Sequence, residues 1–252
     1  MHEGVLTRLR PVPDSRFRLF LLHHAGGSPL GYRPWVRHFP ADWDVCLVEA
    51  PGRGRSANAE PYRDAADLAG YLSERLGHAL DRPFGLFGHS MGALVAYEMA
   101  ARMAAGAARE PSWLGVSAWS PEPGPEWEEP RHRLASDRLR DGIARMGGTP
   151  AAALADPAQW RLVEPLVRAD LELVDTWRPS PGAERLRLPL SAFGGEDDPG
   201  MPPPRMDAWH DHVDGPVRRH TLPGGHFYFV GRIDDVAGRI TRDVRSALAA
   251  GV

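Results

Sequence analysis

The chain has 252 residues, 42% hydrophobic and 25% charged, which is typical of a folded globular protein and excludes fibrous and disordered classes. Its formal charge of -3 comes from 33 acidic residues and 30 basic residues, and every basic residue is an arginine. The absence of lysine excludes a Schiff-base lysine and a Walker-type phosphate loop. The arginines are scattered along the chain, so the sequence does not predict nucleic-acid binding.

The single cysteine, Cys46, excludes an intramolecular disulfide and is interpreted as a small buried residue of an apolar run. No stretch approaches the roughly 20 apolar residues of a membrane span, and the first residues lack the apolar core of a signal peptide. We therefore expect a cytoplasmic protein that does not enter membranes.

Short apolar runs alternate with longer amphipathic runs, which indicates βα units around a mainly parallel sheet. The predicted strands are residues 17–22, 44–50, 84–88, 113–119, 188–194 and 217–223. The predicted helices are residues 64–80, 91–105, 202–213 and 233–249. These elements predict one wound α/β domain over residues 1–252.

The segment 121–181 interrupts this alternation because it contains no predicted strand. It begins with a Pro/Glu-rich stretch and continues with two amphipathic runs. Apolar positions recur at helical spacing, with one acid among them, at Leu139, Ile143 and Met146, and then at Val163, Leu166, Val167, Asp170, Leu171, Val174 and Trp177. Packing onto the sheet explains such stripes, and so does a helical lid whose inner face lines an acyl channel. Both interpretations stay open.

A serine stands between two glycines in Gly88-His89-Ser90-Met91-Gly92. The pentapeptide alone is a weak signal, but here it closes a predicted strand and opens a predicted helix, the setting of a nucleophile elbow. A serine hydroxyl attacks only when a neighbouring base takes its proton. Ser90 is therefore the candidate nucleophile.

Two later turns supply the partners that such a serine needs, in the order serine, acid, histidine. The turn after strand 188–194 carries Glu196, Asp197 and Asp198, and the turn after strand 217–223 carries His226. The glycine three residues before Asp198 and the proline after it favour Asp198, with Asp197 as the alternative and Glu196 interpreted as solvated. Ser90, Asp198 and His226 form the candidate triad.

The remaining histidines are given no catalytic role. His89 is interpreted as a packing residue that points away from the serine. His210 and His212 would face different sides of a helix, so they do not predict a metal site.

The oxyanion of an acyl-transfer intermediate needs two N–H donors, one from the residue after the nucleophile and one from the loop after the first strand. Met91 and Ala25 are the candidates.

These motifs together resemble the type II thioesterases, the free-standing editing hydrolases of polyketide and nonribosomal peptide assembly lines. The resemblance is carried by HHAGGS (23–28), YRPW (32–35), PGRG (51–54), LFGHSMGALVAYE (86–98), RMGGTPAAALADP (145–157), LVRADLELV (166–174), GGEDDP (194–199) and LPGGHFYF (222–229). The family typically has proline where His23 stands, and VSAWSPEPG at 116–124 also departs from its usual text. Both departures bear on the shape of the acyl channel.

The resemblance implies an α/β-hydrolase fold with residues 121–181 as a helical lid, and hydrolysis of acyl thioesters on the phosphopantetheine arm of acyl or peptidyl carrier proteins. It implies no cofactor, and we expect a monomer. Three alternatives remain open: a carboxylesterase or lipase, a non-catalytic binding protein of the same fold, and a cyclising thioesterase domain cut from a synthase.

Overall fold

A computed structural model of the chain describes residues 2–106, 109–122, 129–148, 154–180 and 184–251. The strands are β1 (His2–Glu3), β2 (Leu6–Thr7), β3 (Phe17–Leu22), β4 (Trp43–Val48), β5 (Phe84–His89), β6 (Trp113–Ser117), β7 (Leu190–Gly195) and β8 (Val217–Leu222). The α-helices are α1 (Ala65–Leu76), α2 (Met91–Ala104), α3 (Ser136–Met146), α4 (Pro157–Thr176) and α5 (Ile233–Ala249). Five 3-10 helices lie at Pro29–His38, Gly54–Ser56, Gly77–Ala79, Arg131–Arg133 and Pro203–Asp211.

The strands form one eight-stranded sheet in the order β1-β2-β4-β3-β5-β6-β7-β8. All neighbours from β4 to β8 are parallel, whereas β2 pairs antiparallel with β1 and with β4. The predicted mainly parallel sheet flanked by helices is therefore confirmed.

The core lies on both faces of the sheet because successive strand residues point to opposite sides. On one face, Phe17, Leu19 and Leu21 of β3 pack with the 3-10 helix Pro29–His38 and with α5. On the other face, the alternate residues of β3 pack with α1 and α2. Parallel strands covered on both faces become continuous apolar runs, which is why the sequence revealed them.

Several segments differ from the sequence prediction: strand 113–119 is Trp113–Ser117, strand 188–194 is Leu190–Gly195, and helix 64–80 is Ala65–Leu76. The helix expected at 202–213 is the 3-10 helix Pro203–Asp211. The N-terminal hairpin of β1 and β2 was not predicted, since strands of two residues carry no periodic pattern. The strand expected to reach residue 50 ends at Val48.

Helices α3 and α4 belong to the segment 121–181 and share a small apolar cluster. Its buried members are Leu139, Ile143, Leu154, Trp160, Val167 and Leu171. Leu173 of α4 joins the main core instead, so α4 connects the cluster to the sheet. Residues 123–128 of the Pro/Glu-rich stretch and residues 149–153 of the RMGGTPAAALADP motif lie outside the described residues. No helix in the described ranges has both the length and the apolar character to cross a membrane.

Candidate active site

The candidate residues lie at one edge of the sheet. Ser90 follows β5, Asp198 comes three residues after β7, and His226 lies in the turn after β8. Because these strands are parallel neighbours, their carboxyl ends meet at the same edge, which is where α/β sheets hold their sites. Ser90 is thereby placed at the same edge as Asp198 and His226, although more than 100 positions separate it from either of them in sequence.

Ser90 is held in a strained turn. Its φ of 55° and ψ of -118° lie in a region that residues with a side chain rarely adopt. The turn is fixed by its neighbours, since the Ser90 N–H donates to the Ser117 carbonyl at 2.7 Å. A side chain at Gly88 would collide with the Gly92 carbonyl, and one at Gly92 would collide with the Leu22 carbonyl. The glycines of the pentapeptide are required by close backbone approach, and Ser90 remains partly exposed.

His226 and Asp198 form a hydrogen-bonded pair. The His226 Nδ1–H donates to Asp198 Oδ2 at 2.7 Å, and the other carboxylate oxygen accepts from the Gly200 N–H at 3.0 Å. The Asp198 side chain is 2% exposed and that of His226 is 13% exposed. Asp197 and Glu196 are exposed. Among the three adjacent acids, Asp198 is the one placed against the imidazole, which leaves Nε2 as the ring nitrogen available to a hydroxyl.

Met91 and Ala25 carry the two backbone amides that the sequence suggests as oxyanion donors. Met91 is the first residue of α2, and the first N–H groups of a helix have no partner within it and carry partial positive charge. The second candidate, Ala25, lies partly exposed in the loop 23–28 that follows β3. The Gly27 N–H donates to the His24 carbonyl at 2.9 Å and closes this loop into a tight turn.

His89 is the residue whose placement the sequence analysis described incompletely. It is fully buried, as a packing residue would be, and its Nδ1 lies 2.8 Å from the Ser117 hydroxyl. Its ring does not point away from the site, because its centroid lies 5.0 Å from that of His226 and 4.9 Å from that of Phe227. Burial, followed by the nearby His226 and His24, holds the pKa of His89 well below its usual value. A neutral imidazole therefore packs against the candidate base.

His23, where the sequence departs from its family pattern, is buried and has two backbone partners. Its Nδ1–H donates to the His24 carbonyl at 3.0 Å, and its Nε2 accepts from the Ala50 N–H at 3.3 Å. Burial, followed by the charge of Arg53, holds the pKa of His23 well below its usual value. The neutral His23 ring thus links the loop 23–28 to the backbone at Ala50.

His210 and His212 lie in and directly after the 3-10 helix Pro203–Asp211. His210 is exposed, and His212 Nδ1 lies 3.3 Å from the Tyr97 hydroxyl. In the part of the chain that the structure describes, no group of three His, Cys, Asp or Glu side chains could hold a metal ion.

A buried ion pair beside the loop 23–28 was not predicted from the sequence. Asp170 of α4 accepts from the Gly26 N–H at 2.7 Å and pairs with Arg53, whose Nη2 lies 2.7 Å from Asp170 Oδ1. The available signal was an acid at a core position of an apolar helical stripe. Its partner could not be found from the sequence, because 117 residues separate the two.

Comparisons with known proteins agree with this geometry. The family model described as "Thioesterase domain" matches residues 17–244. A probable cadicidin biosynthesis thioesterase of Streptomyces griseus is 31% identical over 97% of this chain and 67% of its own length. Linear gramicidin dehydrogenase LgrE of Brevibacillus parabrevis is 30% identical over 93% of this chain and 90% of its own. The type II thioesterase BorB, from the borrelidin biosynthetic cluster, superposes with a TM-score of 0.87 at 32% identity, covering 97% of this chain and 99% of BorB. The predicted α/β-hydrolase fold is confirmed.

Proposed function

The chain belongs to the thioesterase family, and from this premise we propose that it hydrolyses acyl groups from the phosphopantetheine arm of acyl or peptidyl carrier proteins. In this role it clears stalled chains from polyketide or nonribosomal peptide assembly lines, as an editing enzyme acting in the cytoplasm. The observation that carries the proposal is the Asp198–His226 hydrogen bond at the strand edge that also holds the strained Ser90. The similarity to the type II thioesterase BorB supports the substrate class.

The proposed reaction has two steps. His226 Nε2 takes the hydroxyl proton while Ser90 Oγ attacks the thioester carbonyl, and the Ala25 and Met91 amides stabilise the oxyanion. Collapse of the intermediate breaks the C–S bond, and the proton held by His226 passes to the leaving thiolate. Water then attacks the acyl-serine ester with His226 again as base, releasing the carboxylic acid and restoring Ser90. Asp198 keeps the proton of the neutral imidazole on Nδ1 throughout.

We propose that the segment 121–181 is a lid over this site. Gly148, at the end of α3, lies so close to Phe227 that a side chain there would collide with the ring. On the other side, Val167 of α4 lies against Gly26 of the loop 23–28. The insertion thus touches the histidine turn and the loop that contains Ala25, and its apolar inner faces are suited to an acyl chain.

The carrier protein is proposed to approach along α4. Carrier domains tend to be acidic, and charge complementarity chiefly accelerates and orients docking. A surface cleft of about 370 Å³ runs beside α4 and is lined by Arg63, His132, Arg161, Glu164, Pro165, Arg168 and Glu172. Arg63 and Arg168 are paired with Glu172 and Glu164, whereas Arg161 is exposed and has no charged partner within the described residues.

Charge reversal tests this surface. Arg161→Glu should raise KM for an acyl-carrier substrate and leave KM for the same acyl group on free pantetheine unchanged. Arg245→Glu is the matched control, because Arg245 is an exposed arginine on α5, which packs on the other face of the sheet. Equal KM values for both variants on the carrier substrate would reject this docking surface.

The test of the function itself is a panel of acyl groups loaded on carrier proteins, with the released acids and the freed carrier identified by mass spectrometry. The same acyl groups as oxygen esters form the comparison arm. Faster hydrolysis of the carrier thioesters is expected. Preference for the oxygen esters would indicate a carboxylesterase. A redox change of the acyl group in place of acid release would indicate the dehydrogenase activity named for the Brevibacillus relative.

A further inference from the structure

We propose that Asp170 and Arg53 are positioning residues for the second oxyanion donor. On this view, a buried ion pair between the insertion and the PGRG loop aims the Ala25 N–H at the reacting carbonyl. The inference rests on the proposed function, since it assigns a task to residues that touch the loop 23–28 and not the substrate.

The ion pair holds the loop through direct contacts on both of its members. Asp170 Oδ2 accepts from the Gly26 N–H at 2.7 Å and from Arg53 Nη1 at 2.8 Å. The same guanidinium donates to the Gly27 carbonyl at 3.1 Å. Both side chains are nearly inaccessible, with exposed fractions of 5% for Arg53 and 2% for Asp170. Backbone groups of two successive loop residues are therefore bound to one charged pair.

These contacts fix the direction of the Ala25 amide because peptide units are planar and trans. The peptide between Ala25 and Gly26 is held at both ends, by Asp170 on its N–H and by His24 Nδ1 on its carbonyl at 2.9 Å. The preceding peptide, which carries the Ala25 N–H, has its carbonyl bound by His23 Nδ1 at 3.0 Å and by the Gly27 N–H at 2.9 Å. The carbonyl of the peptide that carries the Ala25 N–H is hydrogen-bonded, and so are both groups of the next peptide. These contacts fix the direction of the Ala25 N–H.

The arrangement is not explained by stability alone. Burying an ion pair costs desolvation free energy that the attraction often fails to recover, so such a pair is weak evidence of a stabilising role. Loss of Arg53 would also leave the Asp170 charge uncompensated beside the place where the oxyanion forms, which would oppose the reaction. Asp170 belongs to α4, so the Ala25 N–H is held in this direction only while the segment 121–181 contacts the loop 23–28.

The chain contains a matched control pair. Arg18 and Asp44 form a second buried ion pair, 2.9 Å apart, with the same exposed fractions of 5% and 2%. Asp44 lies near the amino end of β4, at the edge of the sheet opposite the site. Asp44→Asn therefore reports what loss of a comparably buried charge does to the protein as a whole.

The test compares Asp170→Asn with Asp44→Asn in the full chain. Four quantities are measured: Tm, kcat and KM with an acyl-pantetheine thioester, and the inhibition constant of an acyl trifluoromethyl ketone, whose serine adduct places an oxyanion in the same hole. Asp170→Asn should lower kcat by about 10- to 100-fold, a part of the effect of losing an oxyanion donor outright, with KM within about twofold. The inhibition constant should rise by the same factor, while Asp44→Asn lowers Tm and leaves both quantities unchanged.

Arg53→Lys is the second variant, in case Asp170→Asn does not fold. It keeps the charge but loses the bidentate contact with Asp170, so a smaller loss of kcat is expected, with the inhibition constant rising by that same smaller factor. Asp170→Asn or Arg53→Lys with wild-type kcat and inhibitor affinity would overturn the inference. An inactive wild-type protein, or an active Ser90→Ala variant, would overturn the proposed function instead, so the two failures are distinguishable.

Discussion

Replacing Asp198 by Asn should remove almost all activity while preserving the shape of the site. In the protein, Asp198 Oδ1 accepts from the Gly200 N–H at 3.0 Å, and Oδ2 accepts from His226 Nδ1 at 2.7 Å. An asparagine that keeps its oxygen on Gly200 turns its NH2 group towards His226. Nδ1 must then accept, so the proton of the neutral ring moves to Nε2. Nε2, the nitrogen that the proposed mechanism uses to deprotonate Ser90, can then no longer take a proton.

The expected loss is about 10⁴-fold in kcat, as found when the triad aspartate of a serine protease is changed in the same way. This corresponds to about 5.4 kcal/mol of transition-state stabilisation. The assay is thiol release from an acyl-pantetheine thioester, with Tm measured alongside. Asp197→Asn is the control, because Asp197 is exposed and should lose little activity. Full activity in Asp198→Asn, or the larger loss in Asp197→Asn, would refute the assignment of the acid.

Three further predictions follow from the same geometry. Ser90→Ala should abolish turnover with the fold retained by circular dichroism, and residual thioesterase activity would reject the nucleophile. Burial keeps the pKa of His23 and His89 well below 6.5, so just below that pH only the unfolded chain takes up these protons. The contribution of the two neutral histidines to the free energy of unfolding is therefore fully present above about pH 6.5. Below that pH the free energy of unfolding falls by up to about 1.4 kcal/mol per pH unit per histidine. Urea unfolding at two pH values should show His89→Phe reducing this slope, and an unchanged slope would contradict the neutral imidazole. Met146 and Ala25 both pack against the α3–α4 cluster. Met146→Trp should lower kcat/KM for long acyl chains about tenfold more than for acetyl, and equal losses would argue against an acyl channel there.

The parts of the fold that the sequence predicted well are those with strong local patterns. Strand 17–22 and helix 233–249 were placed to the residue, because a doubly buried strand is a continuous apolar run and the final helix is strongly amphipathic. Parallel order followed from the alternation of strands and helices. Asp198 was favoured over Asp197 by turn residues, and the burial of Asp198 gives the physical reason.

The features that escaped prediction depend on contacts distant in sequence. Nothing near Asp170 indicates that it meets Arg53, and nothing near His89 indicates that its ring packs on His226. The pair Asp170–Arg53 also changes how the insertion should be tested. Removing residues 121–181 would remove Asp170, so loss of activity towards every acyl group would follow even if the segment selects chain length.

Detection of an acyl-enzyme on Ser90 is the decisive measurement for the proposed mechanism. Rapid mixing of the protein with an acyl-carrier substrate, an acid quench and intact mass spectrometry should show a transient mass increase equal to the acyl group, located on Ser90 by peptide mapping. The adduct should decay as free acid appears, and it should be absent in Ser90→Ala. Acid release without any adduct, with undiminished turnover in Ser90→Ala, would contradict the proposed mechanism.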